Sequence, residues 1–257
     1  MAQRIGPSDP ASTVIKAVLA IEALAAAETG LGLSEIARHI ESNRSSALRV
    51  LRALEQMRLV TQDPANRRYR LTLRLLELGT RALDQLHLPE VAQAHLRVLS
   101  DASGETAHLG VLEDWQVVFI GKAEPPNPIR LQARVGVRAP SHCTSLGKAM
   151  LSQLPEKTLD EYFKSYKLTR LTDRTVTSKA DFLAQLRLVR QRGYAVDDEE
   201  HRDGICCIGA PVLRPGGDVV AAVSISGPAF RLHGRRLAAL APHVKEAAVR
   251  ISHELGA

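Results

Sequence analysis

No uncharged apolar stretch in the 257-residue sequence reaches the roughly 18 residues that a membrane span requires, because the most apolar run, residues 17–27, is broken by Glu22. A bilayer-spanning helix is excluded. The first twelve residues hold Arg4, Asp9 and two prolines and lack an apolar core ahead of a small-residue cleavage site, so residues 1–12 are expected to be a disordered arm on a cytoplasmic protein. The only three cysteines are Cys143, Cys206 and Cys207, an odd number with two adjacent, which suits neither a disulfide framework nor a structural zinc site of paired Cys-x-x-Cys spacing. Aromatic residues make up 4% and none precedes Tyr69. The first quarter of the chain therefore lacks the stacking platforms that hold single-stranded nucleic acids. No Gly-x-Gly-x-x-Gly is present, and His142 stands where a phosphate loop ending in Gly147-Lys148 would need its first glycine.

Positive charge is concentrated. The formal net charge is +6, and between Arg38 and Arg74 nine arginines face three acids, Glu41, Glu55 and Asp63, so this one segment carries as much excess as the whole chain. Such a local field recruits polyanions, and without aromatics the duplex is favoured over single strands. The same segment has the pattern of a winged helix-turn-helix. A helix is expected over residues 13–27, capped by Ser12 or Thr13, with Val14, Val18, Ile21 and Leu24 inward. A second opens at Ser34 with Ile36, Ala37 and Ile40 on one face, and a third follows Glu41-Ser42-Asn43 with Ala47, Val50, Leu51 and Leu54 inward. Short strands at 59–62 and 67–71 flank the turn Asp63-Pro64-Ala65-Asn66. Ser34, Asn43, Arg44, Ser45, Ser46 and Arg49 are the candidate groups for DNA, with Arg67 and Arg68 on the hairpin tracking phosphate. Winged helices also bind proteins, which is the competing reading.

Domain boundaries follow. Residues 13–72 form the winged helix-turn-helix, 73–88 a leucine-bearing linker helix suited to a dimer seam, and 89–257 a second domain in which Pro89 sits in a first helical turn. From Glu105 the apolar period becomes two, giving strands at 106–112 and 116–122 across Glu113-Asp114, and a further strand at 129–133. Helices are expected at 145–153, 156–165 and 178–192, strands at 194–198, 205–213 and 219–226, and a closing helix at 235–255. Hairpins with helices between them imply an antiparallel sheet flanked by helices, so the fold class is α+β.

Five stretches in order then resemble the IclR family of bacterial transcriptional regulators. They are Gly32-Leu33-Ser34-Glu35-Ile36-Ala37 leading to Tyr69-Arg70-Leu71, Gly104-Glu105-Thr106-Ala107-His108-Leu109, Thr144-Ser145-Leu146-Gly147-Lys148-Ala149, residues 192–200, and residues 221–228. The resemblance covers roughly residues 13–256. It implies a GAF-like effector-binding C-terminal domain, a homodimer or homotetramer on a palindromic operator, and control, as repressor or activator, of catabolic genes. One departure is Glu41-Ser42, where relatives have Gly-Leu, so a left-handed backbone position would fall to a residue with a Cβ.

Carried across position by position, the resemblance implies an effector site from Ser145, Leu146, Asp197, Cys207, Ser224 and Ser226, with Leu131 as a further wall. A helix N-terminus and two serines spaced two apart on a strand suit a small organic acid, held without an arginine clamp. No catalytic residue, cofactor or resident metal is expected. His142 with Cys143, or His201 with Cys207, has no third orienting group for thiol catalysis, and a metal among Glu200, His201, Cys206 and Cys207 would need adjacent cysteines that point to opposite sides of a strand.

Overall fold

Pro10 opens α1 (Pro10–Ala26), three residues before the expected start. Proline suits the first helical turn, where its missing N–H has no partner to lose. Ser12 and Thr13 are thus inside the helix rather than caps, and the expected arm does not extend over residues 10–12. The computed structural model describes residues 10–126 and 134–256, and within them the chain forms nine helices and eight strands in two compact units that divide between Gln85 and Leu86.

In the first unit, α1 buries Ala20 and Leu24, with Ala17 and Ile21 half-buried against the same core, while Val14 and Val18 are exposed. The inward stripe is therefore 17, 20, 21 and 24, the face that meets the next two helices. The second helix, α2 (Leu33–His39), is capped by Gly32 and not Ser34: the Glu35 carboxylate reaches back to accept the Gly32 N–H at 2.7 Å. Glu41 then takes the left-handed backbone, φ 47, as its place in the glycine-lacking turn implied. Helix α3 (Arg44–Gln56) buries Ala47, Val50, Leu51 and Leu54. Strands β1 (Val60–Gln62) and β2 (Tyr69–Leu71) are shorter than expected because Arg67, at φ 58, belongs to the turn, its N–H bonded to the Asp63 carbonyl at 2.8 Å. Tyr69 also bridges to Leu31, which ties the wing to the loop before α2. Helix α4 (Arg74–Asp84) occupies the middle of the expected linker span, with no buried residue and Leu73, Leu76 and Leu78 exposed.

The second unit begins with α5 (Leu88–Ser103), which ends at Gly104 in the left-handed region, φ 69. Strands β3 (Thr106–Glu113) and β4 (Gln116–Ala123) form a hairpin whose two-residue turn is Asp114-Trp115, both at positive φ, one residue later than expected. That is the twist-matched hairpin turn. Strand β5 (Arg138–Pro140) pairs with β4 and had no sequence signal; the strand expected at 129–133 lies outside the described residues. There follow α6 (Ser145–Leu151), α7 (Glu156–Ser165), α8 (Lys179–Arg192), β6 (Ala195–Asp198), β7 (Ile205–Leu213), β8 (Val219–Pro228) and α9 (Gly234–Glu254). The sheet is antiparallel throughout, in the order β5-β4-β3-β8-β7-β6. Helix α6 packs on β6, β7 and β8, while α5 packs on β3 and β4, and α9 on β7 and β8. The chain is α+β, and no described helix is long and apolar enough to cross a membrane.

Candidate functional site

Two surfaces carry chemistry. On the first unit, Asn43 caps α3, its Oδ1 accepting the Ser46 N–H and the Ser45 hydroxyl, each at 2.8 Å. The cap fixes where the helix starts, and the 3.6-residue period then puts Ser45, Arg49 and Arg52 opposite the buried stripe, all exposed. Arg44 is exposed at the first position, Ser46 is half-buried, and Ser34 is exposed on α2. Among the described residues, Arg38, Arg44, Arg49, Arg52 and Arg67 form no ion pair, so their charge is available to a polyanion. Arg68 differs from its expected place on phosphate. Its Nε and Nη2 donate to the Gly30 carbonyl at 3.1 and 2.9 Å, and Nη2 lies 3.0 Å from the Glu35 carboxylate. That guanidinium braces the wing against α2. The Gly32 N–H, and then Arg68, hold the Glu35 carboxyl below its ordinary range.

In the second unit the sheet register assembles a cavity. Directly paired residues in an antiparallel sheet share a face, and the pairings run Asp197 to Cys207 to Ser226, and Gly209 to Ser224 to His108. Glycine lets α6 lie close over this face. A Cβ on Gly209 would come within 3.2 Å of the Ser145 hydroxyl oxygen, and one on Gly110 within 3.1 Å of a Leu146 methyl. The result is a cavity of about 260 Å³ lined by six of the seven expected residues, Ser145, Leu146, Asp197, Cys207, Ser224 and Ser226; Leu131 lies outside the described residues.

Sequence reasoning missed His108, which lines the same cavity. It is 2% exposed, neither ring nitrogen has a partner, and its ring meets Phe119 edge-on at 5.2 Å. Burial lowers its pKa to about 4, so it is neutral near pH 7, with one donor and one acceptor to offer. Period-two alternation placed residue 108 on a strand, but only the pairing to Ser224 shows which face it joins. Arg138 and Arg202 also line the cavity, against the expectation of a site without arginine. The expected helix N-terminus contributes less than anticipated, because α6 has only seven residues and Thr144 already accepts the Gly147 N–H at 3.3 Å.

Asp197 is the buried acid of the site. Its Oδ1 accepts the backbone N–H groups of Glu200 at 2.9 Å and His201 at 3.2 Å. Burial nevertheless pushes its carboxyl up to about 7, against the pull of the Lys148 ammonium. Lys148 is itself buried and bonded to Glu200, whose second oxygen has no partner. Burial also raises the thiols, Cys143 to about 12 and Cys207 well above the ordinary range.

Known proteins resemble the chain over nearly its whole length. Residues 13–64 match the family described as IclR helix-turn-helix domain, and residues 80–253 that described as Bacterial transcriptional regulator IclR C-terminal. The HTH-type transcriptional regulator KdgR of Escherichia coli K12 is 34% identical over 248 residues, 96% of this chain and 94% of KdgR. The crystal structure of Thermotoga maritima IclR is 32% identical with a TM-score of 0.80, covering 96% of this chain and all of that one. An IclR homolog from Microbacterium hydrocarbonoxydans complexed with 4-hydroxybenzoate has 27% identity and a TM-score of 0.81, covering 95% of this chain and 98% of that one. The chain belongs to the IclR family of bacterial transcriptional regulators, with a helix-turn-helix domain for DNA and an effector-binding C-terminal domain.

Proposed function

We propose that this regulator binds a palindromic duplex operator as a dimer or tetramer in the cytoplasm, and that a small organic acid in the sheet cavity changes its affinity for that operator at catabolic genes. The observation that carries the effector reading is the convergence of Ser224, Ser226, Asp197 and an unpartnered buried His108 on one cavity. A volume of about 260 Å³ is just under the roughly 300–1,000 Å³ of drug-sized sites, which favours a metabolite of modest size. Arg202, exposed and without an ion pair among the described residues, supplies the cation for a carboxylate, and the serines with His108 hold its hydroxyl or keto oxygens. The 4-hydroxybenzoate complex of a relative supports an acid of this kind.

On the first unit, Arg44, Ser45, Ser46 and Arg49 read base edges, Arg67 meets phosphate, and Ser34, Asn43 and Arg68 position the elements around them. Val14 and Val18 on α1 with Leu73, just before α4, and Leu76 and Leu78 on α4 form the dimer seam, since exposed apolar rows favour burial against a second copy. The protein has no catalysis of its own: Cys143 and Cys207 are held as thiols, and the His142 ring is 2.9 Å from the Thr169 carbonyl.

The test is a thermal-shift screen of small organic acids, 4-hydroxybenzoate included, on wild type and a Ser224→Ala, Ser226→Ala double variant. An acid that raises Tm in wild type only, and alters the gel shift of a palindrome upstream of the regulator's own gene, is expected. Equal stabilisation of both proteins would place the effector elsewhere. A strict monomer in light scattering with a non-symmetric footprint would overturn the dimer.

A further inference from the structure

Cys206 and Cys207 are neighbours on β7, so their side chains leave opposite faces of the sheet. Cys207 lines the effector cavity. Cys206 faces away from it, where β6 places Asp198 directly across and the residue preceding α9 is His233. A hairpin pair eight residues apart and a residue 27 positions further on thus bring a thiol, a carboxylate and an imidazole to one point.

Their donor atoms make a compact triangle. The Cys206 Sγ is 3.3 Å from the Asp198 Oδ1, the His233 Nδ1 is 3.3 Å from the same oxygen, and Sγ and Nδ1 are 3.9 Å apart. Zinc bonds of about 2.3 Å to sulfur, 2.0–2.1 Å to nitrogen and 2.0–2.2 Å to oxygen, set at tetrahedral angles, give edges of about 3.5, 3.3 and 3.6 Å for the same three pairs. The triangle is that of three corners of a zinc tetrahedron, to within a few tenths of an ångström. We propose that Asp198, Cys206 and His233 bind a zinc ion whose fourth corner is taken by water.

The surroundings fit. A thiolate and a carboxylate balance the dication, which leaves a neutral site where Cys206 is buried and Asp198 and His233 still reach solvent. Arg174 donates from Nη1 to the other Asp198 oxygen, Oδ2, at 2.7 Å, so Oδ1 is the oxygen turned toward Cys206 and His233, and the ion would take the place of the thiol and imidazole protons between them. Outer-shell partners of this kind orient metal-binding carboxylates. The ion would join the loop end of the β6–β7 hairpin to the start of α9. This site shares no side chain with the effector cavity, so it stands or falls separately from the effector reading.

The test uses the full chain, stripped of metal with a chelator and titrated with cobalt(II), then with zinc(II) against a chromophoric chelator. Wild type should take up one cobalt per chain, with the sulfur-to-cobalt charge-transfer band and the strong visible absorption of a tetrahedral site. Cys206→Ser should lose the charge-transfer band, and Cys207→Ser should keep it. His233→Ala, at an exposed position whose side chain makes no capping bond to α9, should weaken zinc binding at least about tenfold and abolish the zinc-dependent rise in Tm seen in wild type. Absence of thiolate–cobalt absorption in wild type, or its survival in Cys206→Ser, overturns the proposal, as does unchanged zinc affinity in His233→Ala.

Discussion

The two units dispose of polar side chains in opposite ways. Every buried polar or charged residue among those described, from Ser100 to Ser226, lies in the second unit, whereas the first buries only apolar side chains and Tyr69 and keeps its arginines outside. In the first unit, function is therefore an outer coat that can be altered without disturbing the core. In the second, the groups that recognise a ligand are the same groups whose burial must be balanced for the domain to fold, so fold and recognition cannot be separated.

The strongest way to break that contrast is to remove one half of the buried pair under the cavity. Lys148→Met leaves the Glu200 carboxylate without its cation, and breaking a buried pair this way costs about 3–5 kcal/mol. Urea unfolding should show that loss, with much of it regained in Lys148→Met, Glu200→Leu. A loss below about 1 kcal/mol, the range of exposed ion pairs, would mean that the second unit tolerates charge change as the first does.

Next in size is Arg49→Ala, which should weaken operator binding by about 1–3 kcal/mol and relax base preference while leaving unfolding unchanged. Arg67→Ala should instead weaken all duplexes alike and flatten the salt dependence by about one phosphate contact. Competition gel shifts at several salt concentrations distinguish the two.

Asp197 sharpens the comparison through pH. Its folded carboxyl is raised to about 7, so the cost of ionising it accumulates as pH rises from the ordinary carboxylate range toward 7. An organic anion that binds the protonated form should hold its affinity below pH 7 and lose about tenfold per unit above it. Calorimetric titration across pH 6–8.5 would show the break in wild type and a flat profile in Asp197→Asn; a break retained in Asp197→Asn would assign it to another group.

The smallest effect concerns Arg68. Because its guanidinium is half-exposed and bonded to the Gly30 carbonyl, Arg68→Ala should cost about 1 kcal/mol of stability and leave the salt slope of DNA binding unchanged. A reduced slope with unchanged stability would return it to the phosphate contacts.

How much of this was legible in the sequence follows from the same contrast. Ala47, Val50, Leu51 and Leu54 repeat at helical spacing, so the inward face of α3 and its opposite arginines could be read locally. Val14 and Val18 misled because periodicity gives a stripe but not its width, and the true stripe is shifted toward Ala17 and Ala20. Gly32 rather than Ser34 caps α2 because the Glu35 carboxylate serves the Gly32 N–H, an arrangement that residue preference alone ranks second. In the second unit the resemblance supplied six cavity residues, but His108, Arg138 and Arg202 depend on which strands pair and in what register, which no local pattern encodes. The inward turn of Arg68 is equally non-local, since its partner carbonyl is 38 residues away.

The ordering of the six-stranded sheet has one more consequence. Its outermost described strands are its two shortest, β5 with three residues and β6 with four, and β5 includes Pro140, which has no N–H to donate. A fringe so brief offers another chain too few free backbone groups to extend the ladder, a common safeguard against fibre-like aggregation. The domain can therefore hold a long four-strand centre while contacts with copies of itself are steered to helices and side chains instead of to added strands.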